Sequence, residues 1–339
     1  MLLATMLGFV GFPLLAPLAI VSDLIRGRLR LPTLRVYLFL LQYAFNDSVE
    51  IVLAPIYWAM AGFGATAGSQ ASIARHERLQ WWSAQLLETR ASQLLGLRVE
   101  LDEDSREALT PGPVIVISRH SSLFDASLPG LIYRREGFSV RAVIMAELLA
   151  DPGFDLIYGR TGSVFIPRDR GSEAVTAIKA MTADIDSGSV ARSTAVVIFP
   201  EGRLFKPAVR DRLLARLADS DSGSGSDSGS GSDSGSDASR GQRLAGLTNL
   251  LPPRPGGVLA LLAELPEADV VLLDHRGLER FRSVGRLLSN VPAKQPIQVS
   301  AKRIPRSQIP AERDQQVQWL DQLWLDLDVE LVTLKGRSA

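Results

Sequence analysis

His120 and Asp125 are the two residues whose types and spacing most directly suggest chemistry. Both follow Val114–Ser118, a β-branched run behind a Pro-Gly-Pro break, which predicts a buried strand. On a regular helix, residues five apart are separated by about 500°, so their side chains point in different directions. The pair can therefore meet only across a strand-to-helix turn. There the carboxylate can accept the Nδ1 proton and leave Nε2 as a general base toward a hydroxyl.

The same residues also fit a purely structural pattern. Ser122-x-x-Asp125 is a capping box, in which Ser122 is the N-cap of a helix and Asp125 its third residue. In that interpretation the carboxylate only completes the helix terminus. The spacing alone leaves both interpretations open, so the surrounding elements have to decide.

Those elements alternate between strands and helices. Apolar β-rich runs are predicted as strands, and helical periodicity fills the intervals between most of them. The predicted strands lie at 97–101, 114–118, 140–144, 162–166, 194–199, 269–273 and 297–299, and the main helices at 75–96, 128–133, 172–185, 258–265 and 313–334. This alternation predicts an α/β fold, a layered domain with a mainly parallel central sheet flanked by helices.

Two further polar residues follow predicted strands in the way that His120 does. Arg168 comes after the strand at 162–166, and Glu201 comes after the strand at 194–199. Sites in parallel α/β sheets gather at the carboxyl ends of strands. We therefore expect His120, Arg168 and Glu201 to converge on one edge of the sheet.

Composition excludes several classes of chemistry. The 339-residue chain has no cysteine, which rules out disulfides, thiol nucleophiles and cysteine-ligated metals. Its three histidines have no metal-ligand spacing, so no metal site is expected. The formal net charge of zero argues against a nucleic-acid partner.

The amino-terminal region is predicted to attach the protein to a membrane. Residues 1–22 carry no charge and are long enough to cross about 30 Å of hydrocarbon, and an arginine-rich stretch follows at 26–35. The apolar stretches 36–45 and 51–64 are each short for a crossing, which favours a re-entrant or interfacial hairpin. We therefore expect residues 1–70 to form a membrane anchor. The alternative is that these segments are core helices of a globular domain.

The remainder of the chain is predicted to be one domain, residues 71–339. Within it, residues 219–240 form a Ser/Asp/Gly segment that lacks apolar anchors and is typical of disorder. We expect this segment to be an inserted surface loop without a chemical role.

Three short motifs in order on this scaffold resemble the glycerophospholipid acyltransferase family, the 1-acylglycerol-3-phosphate O-acyltransferases and their relatives. The family's His-x4-Asp is His120 to Asp125, and its Gly-x-x-Phe-Ile-x-Arg is Gly162 to Arg168. Its Phe-Pro-Glu-Gly-(Thr)-Arg is Phe199 to Arg203. Each motif alone is weak, but the ordered set is specific. Two departures stand out: Arg119 replaces a common Asn, and the Thr between Gly202 and Arg203 is missing.

The resemblance implies roles for individual residues. His120 would deprotonate the acceptor hydroxyl, oriented by Asp125, for direct attack on an acyl thioester. Arg168 would bind the acceptor phosphate with Arg203 as a second donor, while Glu201 and Gly202 would shape the acceptor pocket.

The resemblance also implies the substrates and the location of the protein. The acceptor would be lysophosphatidic acid or a related lysophospholipid from the membrane, and the co-substrate acyl-CoA or an acyl carrier protein thioester, with no bound cofactor. Because these donors are cytoplasmic, the expected location is the cell inner membrane with the active site facing the cytoplasm. Three alternatives remain: a glycolipid or other alcohol as acceptor, a catalytically silent membrane-binding scaffold, and a hydrolase.

Overall fold

The computed structural model describes residues 2–122, 124–150, 155, 158–167, 171–186, 193–219 and 240–337. A seven-stranded sheet forms its centre. The strands are β1 (Val99–Leu101), β2 (Val114–Ser118), β3 (Ser139–Met145), β4 (Val164–Ile166), β5 (Thr194–Ile198), β6 (Asp269–Arg276) and β7 (Ile297–Ile304). Their order is β1-β7-β6-β2-β5-β3-β4, and every neighbouring pair is parallel except β6 and β7. The predicted α/β fold with a mainly parallel sheet is therefore confirmed.

The central strand β2 shows why the sequence forms this sheet. All five of its residues are buried, and successive side chains point to opposite faces. Ile115 and Ile117 belong to one apolar core, whereas Val114 and Val116 belong to the other. A run of apolar residues, rather than an alternating one, is what a strand covered on both faces requires.

Helices cover both faces of the sheet. The helices in the described part of the chain are α1 (Leu2–Ile25), α2 (Pro32–Met60), α3 (Gln70–Arg90), α4 (Leu128–Arg135), α5 (Gly171–Asp186), α6 (Pro207–Asp219), α7 (Pro255–Glu264), α8 (Val284–Asn290) and α9 (Arg313–Arg337). The α5, α7 and α9 helices contribute to the core that contains Ile115, and α4 contributes to the core that contains Val114. The carboxyl ends of β2 and β5 remain open at one edge, where His120 and Glu201 follow them.

The amino-terminal helices form an antiparallel pair. Thr5 Oγ1 lies 2.8 Å from Ser48 Oγ, and the Tyr37 hydroxyl donates to the Gly8 carbonyl at 2.8 Å. At the turn between the helices, the buried Asp23 carboxylate accepts hydrogen bonds from the Thr33 amide and hydroxyl. Both helices are long and apolar enough to cross a membrane, by length and composition alone.

The predicted hairpin within residues 36–64 is wrong, because α2 runs through this region as one helix of 29 residues. Its interrupting polar residues Asn46, Asp47 and Glu50 are all buried. Asn46, for example, donates to the Ser83 carbonyl and hydroxyl of α3 at 3.1 Å. The apolar sequence of α2 contains these polar residues because one side of the helix packs against the rest of the protein.

The helix α9 packs in the core on one face of the sheet and also contacts the segment that follows residue 240. Trp324 is fully buried and donates its indole N–H to the Leu251 carbonyl, while Asp321 accepts from the guanidinium groups of Arg240 and Arg243. The predicted inserted segment therefore has folded ends, with Asp219 closing α6 and Arg240 buried. Residues 220–239 lie outside the described part of the chain.

Candidate active site

His120 and Asp125 meet across the turn that follows β2. His120 Nδ1 lies 2.7 Å from Asp125 Oδ1, and the histidine side chain is 22% exposed whereas the aspartate is fully buried. No hydrogen bond within the described residues involves Nε2 of His120. The imidazole is thus fixed on one side and open on the other, as a general base requires.

Asp125 also stabilises the turn itself. Its Oδ2 accepts the backbone N–H groups of Ser121 at 2.5 Å and Ser122 at 2.7 Å. The reciprocal half of a capping box is absent here, because the Ser122 hydroxyl accepts from the Phe124 amide and Asp125 begins a short 3-10 turn before α4. Holding the loop and orienting the histidine are therefore two functions of one carboxylate.

The ionised form of Asp125 is favoured. Burial alone would raise its pKa, but the hydrogen bond to His120 and the proximity of His275 hold that pKa well below the usual carboxyl range. Asp125 is therefore a carboxylate at any pH at which the histidine can act as a base.

The third motif forms a tight turn beside the histidine. The Gly202 amide donates to the Phe199 carbonyl at 3.0 Å, and Gly202 has a φ of +64°, a conformation that favours glycine. The Phe199 ring lies 5.2 Å from the His120 ring between centroids, and the Phe205 amide donates to the His120 carbonyl. The turn thus supports the histidine from the side of β5.

Glu201 is buried within this turn. Its side chain is 1% exposed, and neither carboxyl oxygen has a hydrogen-bond partner of normal geometry in the part of the chain that is described. Burial raises the pKa of Glu201 well above its usual range, although the charge of Arg119 opposes that rise. Burial therefore favours the neutral form of the Glu201 carboxyl group.

Arg119, the first departure from the family pattern, is buried within the protein. It is 1% exposed, and its Nε lies 2.5 Å from Asp274 Oδ1. Its terminal nitrogen donates to Glu279 and to the His275 carbonyl. The pKa of Arg119 is raised because the two carboxylates outweigh the effect of burial. The charge of the Arg119 guanidinium is therefore balanced by carboxylates within the protein.

The predicted phosphate-binding residues are only partly visible. Arg168 lies outside the described residues, so its position relative to His120 stays a prediction. Arg203 is partly exposed next to the turn at Gly202, and its buried Nε makes no hydrogen bond with any described residue. Arg282 lies nearby, with its guanidinium carbon 4.9 Å from the centroid of the Phe205 ring and its Nε likewise without a hydrogen bond.

Sequence reasoning missed the acidic and basic groups that β6 brings to the site: Asp274, His275, Glu279 and Arg282. The strand was predicted to end at Leu273, but it continues to Arg276, and Ser118 pairs with Leu273. The next residues of β6 therefore lie beside Arg119 and His120. The polar triplet Asp-His-Arg after an apolar run is the signal that could have identified them.

Comparison with known proteins gives one family match within the catalytic region that the motifs predict. Residues 97–258 match the model of the Acyltransferase family, a range that contains His120, Asp125, Glu201 and Arg203. This match, which spans just under half of the chain, confirms the resemblance that the three motifs indicate.

Among solved structures, a similar one is the 1-acyl-sn-glycerophosphate (LPA) acyltransferase PlsC from Thermotoga maritima. It is 13% identical to this chain with a TM-score of 0.42, and the alignment covers 85% of this chain and 96% of that one. No curated protein gives a significant match to this chain.

Proposed function

We propose that this protein transfers a fatty acyl group from acyl-CoA, or an acyl carrier protein thioester, to a hydroxyl of lysophosphatidic acid or a related lysophospholipid. The observation that carries the proposal is the His120–Asp125 pair, buried on the aspartate side and open at His120 Nε2. The family match over residues 97–258 supports acyl transfer as the reaction.

The reaction needs a single base and no covalent enzyme intermediate. His120 Nε2 takes the proton of the acceptor hydroxyl as its oxygen attacks the thioester carbonyl carbon. A new C–O ester bond forms, the C–S bond breaks, and the departing thiolate recovers the proton from the imidazolium. Asp125 stabilises that imidazolium from the Nδ1 side, where the two groups lie 2.7 Å apart.

The acceptor phosphate would be held by arginines. Arg203 offers a guanidinium Nε without a hydrogen bond in the described part of the chain, on the turn that adjoins His120. The second motif assigns the same function to Arg168 by sequence alone. Guanidinium groups suit this task because they remain charged and bind phosphate in a bidentate manner.

Attachment to the membrane would bring the acceptor to the site. We infer that residues 1–70 form the anchor and residues 71–339 the catalytic domain. Large apolar side chains of α1 face outward, with Val10 78% and Leu3 70% exposed. On α2, the Phe39 ring lies 6.3 Å from that of Phe124, which stands within the His-x4-Asp motif. A hairpin of α1 and α2 in the inner membrane would thus keep the catalytic loop near the lipid, on the cytoplasmic side where the donors occur.

The first test removes the base. In membranes that contain the full chain, we expect His120→Ala to lower acyl transfer from labelled acyl-CoA to lysophosphatidic acid by about 10²- to 10⁴-fold, the usual range for general-base catalysis. His76→Ala is the matched control, since His76 lies on α3 and contacts Ser72 and Tyr57. Equal activity of wild type and His120→Ala would refute the enzyme proposal, and free fatty acid as the sole product would identify a hydrolase.

The second test concerns the phosphate. Arg203→Ala should raise KM for phosphorylated acceptors by roughly tenfold or more, because a charged hydrogen bond contributes about 1.5–3 kcal/mol. KM for neutral alcohol acceptors should stay unchanged. Arg212→Ala, at an exposed position of α6, serves as the control. An equal loss with neutral acceptors would contradict the phosphate-binding role and favour the alternative of a non-phosphorylated acceptor.

A further inference from the structure

A second histidine lies against the catalytic carboxylate. His275 is fully buried on β6, and its Nε2 is 3.4 Å from Asp125 Oδ2. His120 approaches the other oxygen, Oδ1, at 2.7 Å. Asp125 therefore lies between two imidazoles, that of His120, which is partly exposed, and that of His275, which is fully buried.

We propose that His275 is a positioning residue for acyl transfer, which holds the Oδ2 oxygen of Asp125 and limits the negative charge that the carboxylate presents to His120. This inference rests on the proposed function for its kinetic consequence. The arrangement itself rests on the contacts of His275 and Asp125 alone.

A purely apolar packing role does not account for His275. The preceding residues of β6, Val270 to Leu273, show that apolar side chains fill this strand. Neither ring nitrogen of His275 makes a hydrogen bond of normal geometry with a described residue, which makes the imidazole a costly choice for packing. The interaction that compensates for this cost is the one with Asp125, which lowers the pKa of that carboxyl.

The other charged groups around His275 are already paired with one another, so the interaction with Asp125 is the one that offsets the cost of burying the imidazole. Arg119 is shared between Asp274 and Glu279, so these three groups carry one net negative charge when ionised. Glu279, whose pKa is lowered to about 2 because Arg119 outweighs burial, also interacts with His275.

Glu201 and Arg282 are the other two ionisable groups near His275 and Asp125. Burial raises the pKa of Glu201 and so favours its uncharged form, and Arg282 interacts with both Glu201 and Glu279. The second oxygen of Asp125 has only the two backbone amides and His275 as partners among the described residues.

Loss of His275 should have two separable effects. Without its partner, Asp125 presents more negative charge to His120, so the His120 imidazole should protonate at higher pH. The carboxylate also becomes freer to rotate, so the turnover of the correctly protonated enzyme should fall. Acceptor binding should change little, because His275 has no exposed atoms.

The test uses two substitutions of His275 in the full chain. His275→Phe keeps a planar ring without a donor, whereas His275→Gln keeps a donor that can reach Asp125. In ¹⁵N-histidine-labelled protein in detergent micelles, the three histidines can be assigned by single substitution, with His76→Gln as the matched control. We expect the His120 titration midpoint to rise by roughly half a pH unit or more in His275→Phe, and to return most of the way to wild type in His275→Gln.

Kinetics provide the second readout. In His275→Phe, kcat should fall by roughly tenfold and the acidic limb of the kcat profile should move to higher pH, with the acceptor KM within about twofold of wild type.

An unchanged His120 midpoint in a folded His275→Phe protein would overturn the inference, as would a midpoint shift in His275→Gln equal to that in His275→Phe. If His275→Phe does not fold, His275→Ala takes its place, and an unchanged His120 midpoint in that variant decides against the charge effect. Absence of acyl transfer in wild type would refute the proposed function, whereas the NMR midpoints would still decide the role of His275.

Discussion

Glu201 shows how a single buried carboxyl shapes the pH dependence of the protein. Its side chain is 1% exposed, and burial raises its pKa well above the usual range. In the unfolded chain the same group ionises near its ordinary pKa. Folding above that pH therefore requires proton uptake, so the contribution of Glu201 to stability falls as pH rises toward its folded-state pKa.

Replacement by the neutral isostere should remove this dependence. We expect Glu201→Gln to be more stable than wild type near neutral pH, with the difference growing by up to about 1.4 kcal/mol per pH unit as pH rises from the ordinary carboxyl pKa toward the raised pKa of folded Glu201. Thermal unfolding of the two proteins across that range is the measurement. A difference that stays constant with pH would show that Glu201 is ionised in the folded protein.

The contact between His120 and Asp125 could be predicted from the sequence because it is local. The two residues are five positions apart, and the strand before them fixes where the turn begins. The partners of Arg119 could not be predicted in this way, since Asp274 and Glu279 follow it by 155 and 160 residues. Only the register between β2 and β6 brings these groups together.

At the scale of elements, α2 is the helix whose composition led to a wrong prediction, that of a hairpin within residues 36–64. Hydropathy averages over all sides of a helix, so the buried polar residues Asn46, Asp47 and Glu50 reduced it as strongly as exposed ones would. Their burial against protein is a tertiary property. The sequence could therefore predict an apolar region near the amino terminus but not its division into helices.

The point where the Ser/Asp/Gly segment joins the domain gives an element-scale prediction. A side-chain carbon added at Gly241 would lie 2.9 Å from the backbone of Leu217, so the chain re-enters the domain where α6 ends. Replacing residues 221–238 with a short Gly-Ser link should therefore preserve the fold, and the melting temperature should stay within a few degrees of wild type. Arg240 and its partner Asp321 remain intact in this variant.

Acyl-transfer activity and thermal unfolding of the shortened protein check this expectation. As a contrasting variant, Asp321→Ala leaves Arg240 and Arg243 without their buried partner and should cost about 3–5 kcal/mol. A shortened protein that unfolds as readily as Asp321→Ala would show that the segment contributes to the folded core.

For the molecule as a whole, the alternation of strands and helices was sufficient to predict the α/β class. It was not sufficient to predict the strand order, in which the first strand lies at one edge beside the last. The strands β6 and β7 pair antiparallel because α8, the short helix between them, does not carry the chain back to the opposite end of the sheet. The carboxyl edge of β2, β5 and β6 nevertheless gathers His120, Glu201 and His275, as the general rule for such sheets predicts.

The ion pairs of Arg119 carry an evolutionary consequence. Exchange of Arg119 for a neutral residue would leave the buried Asp274 and the partly buried Glu279 carboxylates without their cation, and loss of either acid would remove one of the two partners of Arg119. Each single substitution at these three positions should therefore give a protein that is less stable than wild type. We therefore expect positions 119, 274 and 279 to vary as a set, so that relatives with a neutral residue before the equivalent of His120 should lack the acidic pair as well.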